Sequence, residues 1–526
     1  MHRRRVLATA TMAALARPAL AQPQPDSVLR FVPAVDLPSP DPVWSASPQS
    51  RDHGYLVFDT LFGLDDQLRP QPQMVGDFNV DAAGLVYSFV LRDGLAWHDG
   101  QPVTAEDCIA SLKRWGSRDV MGIKLLSYVK ALSAPDPRTI RLELKEPYGL
   151  VIDSLAKPTG IVPFMMPKRV AEAPATQQIK DPIGSGPFVF KSDEWRPGDR
   201  VVYVKNPRYV PRSEPAQNFA GGKVVMIDRV EWLSIADPQT AVNALESGEI
   251  DAVESVAHDL LPLLEKKKGI VVARGIYASQ YDLRPNWLHP PFDNPKMRLA
   301  LGYAIDQKEY LTAAIGDVAY WRLCKAYFGC GTPLASDAGM EGLLEGNIAK
   351  ARALVQEAGY DGRPIVLLQV SDISVLANLA PVAKAQLERI GLKVDMRPAD
   401  WQTHLARVLR KEPPEDRGWN LTLSSTGVVD LLNPVTSLFL NAACEKASAG
   451  WPCDARLEEL RDAFAREPDP AKRKAIADEI QSRAAQIGTH YPLGEWFNAS
   501  AVSVRTRDWL RPPSASVFWG VTLAGR

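Results

Sequence analysis

LVYSFVLRDGLAWHDGQPVTAEDCIASLKRW, residues 85–115, is the stretch from which the rest of the chain is best read. It opens on an apolar run, Leu85–Leu91, in which Val86, Phe89 and Val90 favour a strand. Asp93-Gly94 and Asp99-Gly100 are turn dipeptides that bracket the short run Leu95–Trp97. Thr104 stands where a helix N-cap belongs, and Asp107, three residues on, predicts a capping box. Cys108, Leu112 and Trp115 then recur at helical spacing and predict one buried face. The unit reads as strand–turn–strand–turn–helix, with no catalytic group in an unusual place.

Outward from this unit the same signals repeat. VLRFVP (28–33) reads as a short strand, followed by a Pro-rich loop and an apolar helix-like run, and DPRTIRLELK (136–145) alternates as another strand. Asp237-Pro238, Asn294-Pro295 and Asp469-Pro470 each place an N-cap residue before a first-turn proline, so each starts a predicted helix. From residue 347 helices and strands alternate: an amphipathic helix ended by Gly359, the strand IVLLQV, a helix over Ser374–Ile390, the strand LKVDMRP and a helix over Trp401–Lys411. That order implies parallel strands with right-handed crossovers. Pro381 falls inside the second of these helices and predicts a kink or a split.

A chain of 526 residues exceeds one ordinary core, so two or three domains are expected. Apolar residues at 46% and charged residues at 23% are those of a globular protein. MHRRRVLATATMAALARPALAQPQ reads as a secretory signal with a small-residue site at Ala19-Leu20-Ala21, and Arg3-Arg4 points to the twin-arginine route. No Cys near that site supports a lipid anchor. Of 61 Lys and Arg, residues 1–21 hold four (Arg3, Arg4, Arg5, Arg17) and no acid, leaving 57 bases against 62 acids. Such a balance gives no broad electrostatic case for nucleic acid or anionic membrane. Five cysteines in an exported chain invite pairing: Cys324 with Cys330 around an aromatic loop, Cys444 with Cys453 around KASAGWP, and Cys108 left over. Neither C-x-x-C nor paired histidines on a helix occur, so no metal and no cofactor is expected.

A catalytic constellation is not evident either: no G-x-S-x-G elbow, no H-E-x-x-H, no S-x-x-K with its partner motifs. His98-Asp99 has the look of a relay pair but sits in a turn. The expectation is a protein that is not an enzyme.

LRDGLAWHDGQPVTAEDCIASLKRW resembles the most recognisable segment of the extracytoplasmic solute-binding proteins of ABC importers, in the dipeptide/oligopeptide/nickel family (family 5). Cys108 departs from that family's usual aliphatic residue. IGSGPFVF (183–190), ALESGEIDAV (244–253) and MRLALGYAIDQKEYL (297–311) are similar to further elements of the family, in its order. The resemblance implies an α/β fold of the periplasmic-binding-protein type: two α/β lobes with a hinge and an extra domain inserted in the first lobe. Its boundaries would be residues 26–60 with 180–272 and 495–526 for lobe I, 61–179 for the extra domain and 273–494 for lobe II. Gly184 and Gly186 then read as a tight turn between lobes; Pro187 removes a donor that a phosphate loop would need.

By the same resemblance the first loop reaches the ligand cleft, which makes Trp44, Arg51 and His53 candidates; a packed surface loop is the alternative. In the second lobe the flat walls and polar groups a solute cleft needs are offered by Tyr281, Trp287, Trp401, Trp419, Thr426 and Gly427. In the peptide-binding members an Asp in D-x-x-x-P takes the ligand's α-ammonium, and VVDLLNP puts Asp430 there. Those members often carry a Trp three residues earlier, where this chain has Gly427. The other reading of Asp430 is a cap on the turn before Asn433-Pro434. The implied function is a periplasmic receptor, monomeric, that closes on a short peptide or amino-acid-like solute and delivers it to the membrane permease of an ABC importer. A secreted hydrolase using the same cleft, a sensory or chaperone-like receptor, and a binder of a nickel chelate, haem or sugar are the alternatives.

Overall fold

The computed structural model describes residues 27–512 and 514–524. The signal-sequence reading of residues 1–21 lies outside them.

The opening unit folds as its residues predict except at Leu95–Trp97, where the expected second strand is reduced to an isolated bridge between Ala96 and Pro102. Val86–Leu91 is a strand and Ala105–Trp115 a helix. Thr104 Oγ1 accepts from Asp107 N at 3.3 Å, and the Asp107 carboxylate accepts from Thr104 N at 2.9 Å, closing the capping box. Cys108 and Trp115 are fully buried, and the Trp115 indole donates to Ile161 O at 2.8 Å, as a buried Trp must. The helix packs on a four-stranded antiparallel sheet ordered Val75–Val80, Val86–Leu91, Thr139–Leu144, Val129–Asp136.

Two larger mixed sheets carry the rest. The first runs in the order Phe188–Phe190, Arg200–Lys205, Arg229–Leu233, Val28–Val32, Ala252–Val253, Ala499–Ser503, Ile270–Arg274. Val28–Val32 is parallel to both of its neighbours. The second runs Trp321–Arg322, Tyr491–Trp496, Ser279–Pro285, Leu421–Gly427, Ile365–Val370, Val394–Ala399. There Ile365–Val370 is parallel to Val394–Ala399 and to Leu421–Gly427, the pairing the βαβ alternation requires. The chain passes from one sheet to the other through residues 275–278 and 497–498.

Pro381 does not break its helix where it stands. The split falls upstream, between Ser374–Ala377 and Leu379–Arg389, which leaves Pro381 in the first turn of the second piece, where a missing N–H costs nothing. The helix expected over Trp401–Lys411 ends at Val408. Gly184 and Gly186 pack on the end of helix Pro48–Val57. A Cβ at Gly184 would collide with the Val57 carbonyl and one at Gly186 with the Leu56 carbonyl, so close backbone approach requires both glycines. His98 completes this junction: its backbone N–H donates to Gly184 O at 2.9 Å and its Nε2 lies 3.2 Å from Gly186 O. Asp99 pairs instead with Arg169 at 2.7 Å, so His98 and Asp99 form no relay.

Cys324 is bonded to Cys330 and Cys444 to Cys453, and Cys108 is a buried free thiol. Each ring is small and restricts the unfolded chain by only ~2–3 kcal/mol. Titration of the denatured, unreduced protein with a thiol reagent should therefore count one thiol per chain; five would refute both bonds.

Candidate functional site

Where the chain crosses between the two large sheets lies a cavity of about 410 Å³. Pro48, Arg51 and Glu254 line it from the first sheet's part of the chain, Tyr277, Ser279, Gly427 and Asp430 from the second's, and residues 509–512 and 514–516 complete the lining. Helix Pro48–Val57 supplies Arg51 from its first turns. Glu254 follows strand Ala252–Val253, at the carboxyl end of a parallel pair, where open α/β sheets place their ligand sites.

The charges divide into those the protein uses and those it leaves available. Glu254 is fully engaged: one oxygen accepts from Ser516 Oγ at 2.9 Å, the other from Ala34 N at 2.7 Å and Gln49 Nε2 at 3.2 Å. Asp52, behind Arg51, accepts from Ser516 N at 3.0 Å. Burial, with the nearby Glu254 charge, raises the Asp52 carboxyl well above its ordinary range, although Arg51 opposes the shift. The Arg51 Nε is buried without a hydrogen-bond partner and lies 3.4 Å from Asp52 Oδ1. The Arg51 guanidinium therefore has one carboxylate beside it and an Nε–H without an acceptor.

Asp430 presents the opposite charge across the cavity. It sits in the 3-10 turn Val428–Leu431, half-buried, and among the described residues its carboxylate has no hydrogen-bonded or ion-paired partner. The turn that follows is capped by another residue: Asn433 Oδ1 accepts from Val435 N at 2.9 Å and Thr436 N at 3.2 Å. Gly427 leaves room for Asp430, because a Cβ there would stand 3.3 Å from its Oδ2.

Of the residues singled out in the sequence, Arg51, Gly427 and Asp430 are brought together, and the others lie elsewhere. His53 is two residues from Arg51 on the same helix and so faces away from it. Its Nδ1 lies 3.0 Å from Tyr203 Oη, its ring meets Phe190 edge-on, and burial lowers its pKa to about 3, which makes it a neutral core imidazole. Trp44 lies under the Arg118 guanidinium at 5.0 Å. Tyr281 is fully buried behind Trp496, with ring centroids 5.7 Å apart. Thr426 alternates to the other face of its strand from Gly427. Trp287 donates to Gly488 O at 3.3 Å beneath Arg298, Trp401 stacks on His404 at 5.7 Å, and Trp419 is fully buried with its indole on Val408 O. These aromatics pack; they do not wall the cavity.

Sequence reasoning missed Glu254, Tyr277, Asn498, Arg511 and Ser516. The strand-end position of Glu254 was a usable signal. The stretch from Trp509 to Ser516 has no periodicity and joins the cavity only through long-range contacts, such as those of Ser516 with Asp52 and Glu254. One further group of potential ligand atoms among the described residues, Cys324, Cys330 and Glu495, consists of two bonded sulfurs and a carboxylate held by Arg322 at 2.6 Å, so it offers no free thiolate.

Comparison with known proteins gives a consistent answer. The model of the bacterial extracellular solute-binding proteins, family 5 (middle region), matches residues 69–449. A probable peptide ABC transporter periplasmic-binding protein, y4tO, of Sinorhizobium fredii (strain NBRC 101917 / NGR234) is 37% identical over 488 residues, covering 92% of this chain and 91% of that one. The glutathione-binding protein GsiB of Escherichia coli (strain K12) is 27% identical over 478 residues, 87% of each chain. Among solved structures, the ABC transporter substrate-binding protein CtaP of Listeria monocytogenes superposes with a TM-score of 0.79 at 20% identity, covering 95% of this chain and all of that one, a likeness of fold.

Proposed function

The chain belongs to the bacterial extracellular solute-binding proteins of family 5, and from that premise we propose that its cavity captures a short zwitterionic peptide or amino-acid-like solute. As a member it is the substrate-binding receptor of an ABC importer, a binding role that needs no covalent step. The observation that carries the ligand class is the unpaired Asp430 carboxylate in one cavity with the Arg51 guanidinium, whose Nε–H lacks an acceptor. A solute with an ammonium and a carboxylate answers both, and because the two anchors belong to opposite walls, holding it favours the closed state. The names of the relatives, a probable peptide carrier and a glutathione binder, support a peptide-like cargo.

The rest of the reading follows the same premise. Residues 26–60, 180–272 and 495–526 form lobe I around the first large sheet, 61–179 the inserted domain and 273–494 lobe II around the second. The receptor works as a monomer in the periplasm after loss of a twin-arginine signal near Ala21-Gln22; N-terminal sequencing of exported protein should begin near Gln22, and an intact Met1 or a lipidated residue would refute that. No helix among the described residues is long and apolar enough to cross a membrane.

The test is to identify the cargo by mass spectrometry after denaturing release and to return it to cargo-free protein. At 100 times its dissociation constant the cargo should stabilise the fold by ~2.7 kcal/mol and shrink the scattering radius. A cargo without a cationic group, or an unchanged radius in the saturated protein, would contradict the proposal.

A further inference from the structure

The turn between helices Ala455–Arg466 and Pro470–Ile487 meets residues 146–153, which follow strand Thr139–Leu144 of the four-stranded sheet. Neither segment lines the cavity that holds Asp430. Gly149 N donates to Ala465 O at 2.8 Å, and Gly149 O accepts from Arg473 Nη1 at 3.1 Å. A Cβ at Gly149 would stand 2.1 Å from Glu467 O, so the approach needs a glycine. Its φ lies outside the left-handed region, so what demands glycine is contact across the junction and not turn geometry. Ion pairs flank the contact: Arg473 with Asp153 at 3.3 Å, Lys124 with Asp462 at 2.7 Å and Arg466 with Glu146 at 3.8 Å. In each, one partner belongs to residues 61–179 and the other to the second sheet's part of the chain. Beside them the junction encloses about 420 Å³, lined by Leu150 and Asp153 from the one part and by Phe464 and Arg473 from the other. A settled core leaves few voids larger than a water, and polar, loosely filled junctions are those of domains that move.

We infer that this junction is a clasp made when the receptor closes, and that Gly149 sets how tightly cargo is held without touching it. The inference rests on the hinge reading above and names the place where the closed state is held. Gly149 and the residues of the flanking pairs are positioning residues: they favour the state that binds, and affinity falls with the share of protein that reaches it. Exposed ion pairs contribute little singly, so most of the effect lies in the Gly149 approach, which any side chain blocks. The clasp is tied to the anchor segment, because Arg461, on the same helix as Arg466, donates to Pro434 O at 3.0 Å, four residues after Asp430.

Calorimetry and small-angle scattering of cargo-free, full-length protein with Ala-Ala test this. Gly149→Ala should weaken Ala-Ala binding at least about 10-fold, the loss when the closed share falls tenfold, and should hold the scattering radius of the saturated protein at its cargo-free value. Its cargo-free melting temperature should match wild type, because the clasp is open there. Lys124→Asp should weaken binding about 3-fold, and adding Asp462→Lys should restore it. Full affinity and full compaction in Gly149→Ala would overturn the clasp, and so would a double charge variant no tighter than Lys124→Asp. A cargo-free melting temperature lowered as much as the cargo-bound one would overturn it too, as the mark of a permanent interface. If Ala-Ala binds neither protein, the peptide reading fails, and nitroxide labels at the exposed positions of Lys130→Cys and Glu459→Cys, in the protein as isolated, decide the clasp. A short label distance that Gly149→Ala removes upholds it; one distance common to both proteins overturns it.

Discussion

Asp430→Asn should cost ~2–5 kcal/mol of cargo affinity, because it strips the charge from the one partner available to a desolvated cation. Asn keeps the size of the side chain and can still donate or accept, so what the substitution removes is chiefly charge. The competing reading, in which Asp430 caps the following turn, gives a different number. Asn is nearly as good a turn former as Asp, so affinity would then stay within about a factor of two. Among the described residues no amide donates to the Asp430 carboxylate, and Asn433 caps only the next turn, through the Val435 and Thr436 amides, which is why the large effect is expected. Titration calorimetry of both proteins with the released cargo checks it. An unchanged affinity in a folded variant would remove Asp430 from the site.

Arg114→Met should destabilise the fold by ~3–5 kcal/mol, the usual cost of breaking a buried ion pair by removing one partner. Arg114 and Asp41 are 2.7 Å apart with side chains 1% and 0% exposed. The guanidinium also donates to the carbonyls of Ala173, Pro174 and Gln177, while Asp41 accepts from the amides of Val43, Trp44 and Ile179. Removing Arg114 leaves three carbonyls and a carboxylate short of a donor in the interior. It also loosens the loop that leads into helix Pro48–Val57 and hence Arg51, so cargo affinity should fall modestly as well. Urea unfolding with an unchanged slope and a lower midpoint checks the main effect. A midpoint shift worth less than ~1 kcal/mol would show that the pair contributes little beyond its packing.

The fold was legible wherever a local signal sufficed. Thr104 with Asp107, the three N-cap–Pro pairs and Gly359 just past a helix end all read directly, because capping chemistry lies within a few residues of the chain. Pro381 was legible as a disturbance but not in its position, since whether a proline kinks a helix or starts one depends on where the preceding turn frays. Of the residues that line the candidate cavity, the sequence singled out Arg51, Gly427 and Asp430. His53 and Arg51 looked alike in the sequence, and only the turn of the helix separated a core imidazole from a cavity guanidinium. The aromatics misled because large rings serve cores and clefts alike: Tyr281, Trp287 and Trp419 went to packing. Glu254 and Ser516 meet across 262 residues, a distance no local pattern reports.

The crystal structure of the receptor with its released cargo tests the central claim most directly. The account predicts a closed molecule in which the cargo ammonium lies within hydrogen-bond distance of the Asp430 carboxylate and its anionic group meets the Arg51 guanidinium, with one solute spanning both walls of the cavity. Cargo bound away from Asp430, or held by one wall of an open cleft, would contradict it.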